Sequence, residues 1–211
     1  MCNLKKLAAP TKEVADLFGA FDNSGNAGPG EVYPGQIGLV VTQQGGARTL
    51  EPMTWGFPLV TADMRVRAAA KGTNPRPKPV NNARMDNMGS SFWKRWFDNP
   101  VQRCLIPITE FAEAAGEKGR KTRTWFSVRD QPIFAWAGLW RDSAEWGKVY
   151  TGCMTNANEA IQPYHERMPV LLETEDWQQW LTVDADYALR CASPMSAVRI
   201  KVTPTEELWV K

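Results

Sequence analysis

Residues 101–154 read VQRCLIPITEFAEAAGEKGRKTRTWFSVRDQPIFAWAGLWRDSAEWGKVYTGCM. Four apolar runs stand in this stretch: VQRCLIPI (101–108), TRTWFSV (122–128), IFAWAGLW (133–140) and KVYTGCM (148–154). Each is short, rich in β-branched and aromatic residues, and bounded by Gly, Asp, Glu or Lys clusters, which is the pattern of strands joined by turns. Outward from this block, IGLVV (37–41) and RTLEP (48–52) precede it, and RMPVLL (167–172) and AVRIKV (197–202) follow it with the same character. Helical spacing is confined to brief segments. Thr11 is a candidate N-cap for a helix over 12–21, where Val14, Leu17, Phe18 and Phe21 recur on one face, and the glycine-rich stretch from Asn23 stops it. Further short helices are expected at SSFWKRWF (90–97), after Thr155, and at TEDWQQWL (174–181), where Thr174 caps and Trp177 and Leu181 share a face. KGTNPRPKPV (71–80) holds three prolines and no period, so it reads as a loop. Without βαβ alternation or an internal repeat, the expectation is one antiparallel-rich α+β domain over residues 2–211.

The 211 residues are 43 % hydrophobic and 23 % charged, with ten tryptophans, which excludes disorder, collagen and coiled coil. No apolar run approaches the roughly 18 residues of a membrane span, and MCNLKKLAAP offers no secretory core, so a cytoplasmic protein without membrane contact is expected. The four cysteines, Cys2, Cys104, Cys153 and Cys191, form no CxxC pair, and His165 is the only histidine. Neither a zinc site nor any other metal or cofactor is expected from this set.

Charge is unevenly spread. Residues 61–104 carry nine basic and three acidic side chains, a net +6, while the remainder of the chain carries −4. Trp93, Trp96 and Phe97 interleave with this basic segment. Cations beside aromatic faces suit a polyanion with stackable bases, although a solvated basic face over a tryptophan-containing core explains the same composition.

Cys2 is the most unusual position. Loss of an initiator Met before Cys would leave an α-amine and a thiol on adjacent carbons. Such a 1,2-aminothiol condenses with an aldehyde to an imine and then closes a durable thiazolidine, and both groups reach their nucleophilic forms near neutral pH. Three further segments place polar groups beside apolar strands. Asn82 and Arg84 stand two apart in VNNARMDNM, so an extended segment presents both on one side. Arg can grip phosphate while Asn orients a sugar oxygen or the nucleophile. Glu110 and Glu113 follow the buried-looking RCLIPI run, where a carboxyl is a candidate acid or base with a raised pKa. His165 precedes Glu166 and RMPV; a lone histidine is more often structural than catalytic.

The Met-Cys start, the WGF of PMTWGFPL, the NAR of NNARMDNM, RCLIP followed by FAE, the TNAN segment, and H-x-RMPV with a downstream TEDWQQWL occur together in one order. In that order the chain resembles the SOS-response-associated peptidase (SRAP) family over almost its whole length. The resemblance implies a barrel-like β core with peripheral short helices. It also implies a monomeric sensor of abasic sites in single-stranded DNA that captures them covalently through Cys2 as a thiazolidine, a lyase-type activity for which Met1 is removed either by the chain itself or by an aminopeptidase. By the same resemblance the catalytic set is Cys2, Asn82, Glu113 and His165, with Glu113 as proton shuttle and His165 as the acid that opens the sugar. Arg84, Trp55, Arg167 and Lys5 would contact DNA, Arg84 at the phosphate beside the lesion.

The chain departs from the family pattern at several points. Asn3 and Leu4 replace the Gly-Arg that commonly follows Met-Cys, leaving Lys5 or Lys6 to supply the missing cation. Ala114 stands where the family has an aromatic, and Asp86 where it has Glu. These departures bear on substrate preference rather than on the Cys-Asn-Glu-His set. Two other functions fit the residues: a peptidase or amidohydrolase with an N-terminal cysteine nucleophile, and a noncatalytic single-strand binder with an inert Cys2.

Overall fold

The computed structural model describes residues 2–209, and strands carry its architecture. In chain order they are β1 (Lys5–Leu7), β2 (Ala20–Asp22), β3 (Gly30–Val32), β4 (Ile37–Gln44), β5 (Ala47–Trp55), β6 (Phe57–Leu59), β7 (Lys78–Val80) and β8 (Asn82–Arg84). The second half adds β9 (Arg103–Ile108), β10 (Glu110–Ala115), β11 (Thr122–Val128), β12 (Phe134–Ser143), β13 (Gly147–Asn156), β14 (Arg167–Pro169), β15 (Leu171–Leu172) and β16 (Ile200–Leu208). The helices are α1 (Thr11–Phe18), α2 (Ala62–Ala70), α3 (Lys94–Phe97), α4 (Asp176–Thr182) and α5 (Ala185–Cys191). None is long and apolar enough to cross a membrane.

Strands β5, β4, β9, β12 and β13 pair antiparallel in that order. The ring then closes through a parallel pairing of β13 with β5, Val149 opposite Thr54 and Tyr150 opposite Trp55. Closure removes the free edges that an open sheet would leave. The α+β, barrel-like architecture expected from the sequence is therefore present. A second sheet runs in the order β16-β11-β10-β1-β3, and β6 pairs with β7 in a small separate ribbon.

Ring strands are buried on both faces, which explains their nearly continuous apolar runs. Along β4, Leu39 and Val41 enter one core with Phe18 and Trp177 of the helices. Val40, pointing the opposite way, enters a second core with Cys2, Trp55, Trp136 and Tyr150, joined by Phe111 and Phe126 of the second sheet. In that second core Trp55 meets Trp136 edge-on at 5.8 Å between centroids and stacks on Tyr150 at 6.3 Å. Gly152 permits this packing, since a Cβ there would lie 2.0 Å from Cζ2 of Trp136.

The helical expectations need correction at several points. α1 ends at Phe18 because Gly19 turns left-handed at φ 58°, and Phe21, expected on the helix face, lies on β2 and is 73 % exposed. Of 90–97 only Lys94–Phe97 is α-helical, and the segment after Thr155 forms turns over 159–164. RMPVLL splits into β14 and β15, which pair with different partners, β13 and β12. The unexpected α2 is capped by Thr61, whose Oγ1 accepts from the Met64 N–H. Its sequence carries no apolar stripe, and only Ala68 is buried, so periodicity had nothing to report. Within the expected proline loop, Lys78–Val80 forms β7.

Candidate active site around Cys2

Strand β1 lies between β10 and β3, with Lys5 opposite both Phe111 and Val32. The pairing seats the segment before it as well. Leu4 is fully buried against Ala112 and Trp125, and its carbonyl accepts from the Ala112 N–H at 3.0 Å. Cys2, also fully buried, follows it inward, and its Sγ–H donates to the Leu4 carbonyl at 3.5 Å. Met1 and its removal lie outside the described residues.

Two side-chain amides converge on the backbone of Cys2. Asn82 Nδ2 donates to the Cys2 carbonyl at 2.8 Å and Asn81 Nδ2 donates to the same oxygen at 3.0 Å. Asn81 also donates to Asn3 Oδ1 at 3.1 Å. The asparagines are held by the sheet: β8 pairs in parallel with β13, placing Asn82 beside Gly152 and Arg84 beside Met154. The Asn81 carbonyl accepts from Trp55 Nε1 at 2.9 Å and from the Gly152 N–H at 3.1 Å. Asn82 Oδ1 is buried with no hydrogen-bond partner among the described residues. A buried acceptor left in this state costs free energy until a donor arrives. Asn81 escaped the sequence reading, although the Asn81–Asn82 doublet was its signal.

Glu113 of β10 reaches the same place from the other side. The antiparallel register that sets Lys5 opposite Phe111 directs Glu113 toward the first residues of the chain, and the carboxyl is 5 % exposed. Burial raises Glu113 from 4.5 to about 7. Burial also pushes the Cys2 thiol well above its ordinary value, and the nearby Glu113 charge pushes it further. The thiol is therefore held protonated beside a carboxyl that exchanges its proton near neutral pH.

His165 and two arginines flank the end of β13. His165 Nδ1 lies 2.9 Å from the Arg167 backbone nitrogen and 3.2 Å from the Arg167 carbonyl oxygen, which hold the ring in place. Partial burial lowers the His165 pKa. Arg84 binds Asp86 through both carboxylate oxygens, at 3.0 and 2.7 Å, and Arg167 joins the same carboxylate at 2.8 Å. Asp86 is thereby held far below the usual carboxylate range, chiefly by Arg84 and then Arg167. Together the three side chains present a net positive edge. A groove of about 240 Å³ runs beside it, walled by Leu59, Val80 and Phe92 and bordered by Asn82 and Arg84.

Other expected DNA contacts fall elsewhere. Trp55 is fully buried and supports Asn81, so it offers no face to a base. Lys5 is 1 % exposed, because β1 turns Lys5 and Leu7 to the inner face. Lys6 does reach the surface, yet it is ion-paired with Glu110 at 3.1 Å. Trp93 and Phe97 belong to the core, whereas Trp96 is partly exposed, with the Arg95 guanidinium stacked 4.2 Å from its centroid.

The fold gathers polar side chains from separate strands around the second residue of the chain. A family model described as SOS response associated peptidase (SRAP) matches residues 1–208, and the chain belongs to that family. Among curated proteins it is similar to the abasic site processing protein YoqW of Bacillus subtilis, 28 % identical over 176 residues that cover 79 % of this chain and 73 % of the relative. The abasic site processing protein YobE of the same organism is 27 % identical over 176 residues, 79 % of this chain and 75 % of its own. Among solved structures, a crystal structure of a Bordetella bronchiseptica protein superposes with a TM-score of 0.77 at 22 % identity, covering 97 % of this chain and 99 % of that one. One from Bacteroides thetaiotaomicron gives 0.75 at 18 % identity, covering 96 % of this chain and 91 % of that one. The two structures share its fold.

Proposed function

We propose that this protein processes abasic sites in single-stranded DNA by covalent capture through Cys2. The observation that carries the reading is the convergence of Asn82 and Glu113 on Cys2, two polar groups brought from distant strands to an otherwise apolar core. The names of the relatives, abasic site processing proteins, and the family match support the substrate class.

In this reading, removal of Met1 frees the Cys2 α-amine. The ring-opened abasic sugar presents an aldehyde; the amine adds to it and water leaves, giving an imine. The thiol sulfur then bonds to the imine carbon while its proton passes to the nitrogen, closing a thiazolidine. One water is released overall, and no oxidant or reductant is needed. Glu113 accepts and returns protons across these steps, a task suited to a carboxyl that titrates near 7. Asn82 Oδ1 supplies the acceptor that orients the Cys2 amine or a sugar hydroxyl. His165 opens the sugar by protonating its ring oxygen and assists reversal. Arg84 and Arg167, already aligned by Asp86, receive the phosphate beside the lesion.

The peptidase reading is weaker at one point. Paired amide donors resemble an oxyanion hole, but they bind the carbonyl of Cys2 itself, one residue beyond the Met1–Cys2 bond. They position the nucleophile instead.

The test is Cys2→Ser with single-stranded DNA containing one abasic site. The variant should bind the strand but give no denaturation-resistant adduct, because a hydroxyl cannot close the sulfur ring. Undiminished adduct would assign capture to another nucleophile.

A further inference from the structure

A second polar centre lies on the inner face of β1, and abasic capture makes no use of it. Lys5 points inward, with Nζ 5.3 Å from the centroid of the Tyr150 ring. Among the described residues it has no hydrogen bond or ion pair, and Tyr150 Oη, fully buried, has no hydrogen-bond partner either. Both groups crowd against Gly38: a Cβ there would lie 2.4 Å from Tyr150 Oη and 3.0 Å from Lys5 Nζ. Only a glycine leaves room for the two donors to share this spot. Gly38 and Lys5 also line a cavity of about 420 Å³, walled by Leu7, Val32, Ile37, Leu39 and Pro52 and roofed by the loop 24–28.

A buried amine that lines an apolar cavity, with no anion in contact with it, asks for one kind of ligand. We propose that this cavity binds a small monocarboxylate with an apolar tail, its carboxylate received by Lys5 Nζ and its tail by the β3–β4 wall. Cys2, Asn82 and Glu113 are not among the residues that line the cavity. Burial lowers the empty-site Lys5 amine from 10.5 to about 7. The titratable groups acting on it, the Cys2 and Cys104 thiols, are kept neutral by burial, as is the Tyr150 phenol. A carboxylate would be the first anion in contact with Lys5 and would raise its pKa, so binding takes up a proton and weakens as pH rises above about 7.

The experiment is calorimetric titration of the full chain with hexanoate, with hexanol as the uncharged control, at pH 6.5 and 8.5 in buffers of different ionisation enthalpy. Expected are saturable binding of hexanoate, at least about tenfold weaker binding of hexanol, and proton uptake at pH 8.5. Lys5→Met should weaken hexanoate binding by about tenfold or more, losing a charge-assisted hydrogen bond. Ile37→Glu places a repelling charge on an exposed wall position, 61 % accessible, and should do the same without disturbing the core. Should Lys5→Met fail to fold, Ile37→Glu decides. Absence of saturable hexanoate binding at millimolar concentration, equal affinity for hexanol, or undiminished binding in Ile37→Glu would overturn the proposal.

Discussion

Asn82 Nδ2 donates to the Cys2 carbonyl at 2.8 Å across 80 positions of sequence. The placement of Cys2 thus depends on the register of β8 against β13, which sets Asn82 beside Gly152. Asn82→Ala removes a buried donor and leaves the Cys2 carbonyl with Asn81 alone. Folding stability should fall by about 1–3 kcal/mol, measured by chemical denaturation. Adduct formation should slow by much more than DNA affinity falls. Equal losses in rate and affinity would assign Asn82 to strand binding instead.

Glu113→Gln should slow adduct formation by roughly 10²-fold with little change in strand binding. Burial raises Glu113 from 4.5 to about 7, so its proton-accepting form grows as pH rises through that value. The wild-type rate should therefore step upward near pH 7, and the step should vanish in the variant. A persisting step would mean that another group moves the proton.

Arg84→Ala should weaken binding of single strands of any sequence and reduce the slope of affinity against salt by about one counterion. Asp86 would then be left to Arg167 alone. An unchanged salt slope, measured by fluorescence anisotropy, would show that Arg84 serves only its ion pair with Asp86.

Lys5 carries a stability signature of its own. Its native pKa lies at about 7, below the 10.5 of a free lysine, so between these values the unfolded chain holds a proton that the native state lacks. Stability from this group rises with pH through that window, and below about 7 the full cost of a buried charge is present. Lys5→Met should therefore melt higher than wild type at pH 6.5, with the advantage shrinking toward pH 10. A melting temperature lowered at every pH would contradict the buried, unpaired placement.

The strands of the ring were legible because both faces are buried, so apolar runs such as 133–140 and 148–154 appear unbroken. The parallel closure of β13 on β5 was not legible, since a pairing between residues almost a hundred positions apart leaves no local trace. Residue type and motif order single out Cys2, Asn82, Glu113 and His165, and the structure places Asn82 and Glu113 beside Cys2. Lys5 and Trp55 were misplaced for one reason: residue type suggested a DNA contact, whereas strand alternation governs direction. Leu7, two residues on, already marked the inward face that Lys5 shares. Asp86 was noted only as a departure, because its bridging of Arg84 and Arg167 requires β8 and β14 to flank β13.

The central claim is that Cys2, with its amine free, forms the covalent bond. Intact mass spectrometry of the adduct with a single-stranded oligonucleotide containing one abasic site, followed by peptide mapping, tests it directly. The account predicts a mass equal to the chain without Met1 plus the oligonucleotide minus one water, with the sugar remnant mapped to the peptide that begins at Cys2. An adduct that retains Met1, or one mapped to a lysine, would contradict it.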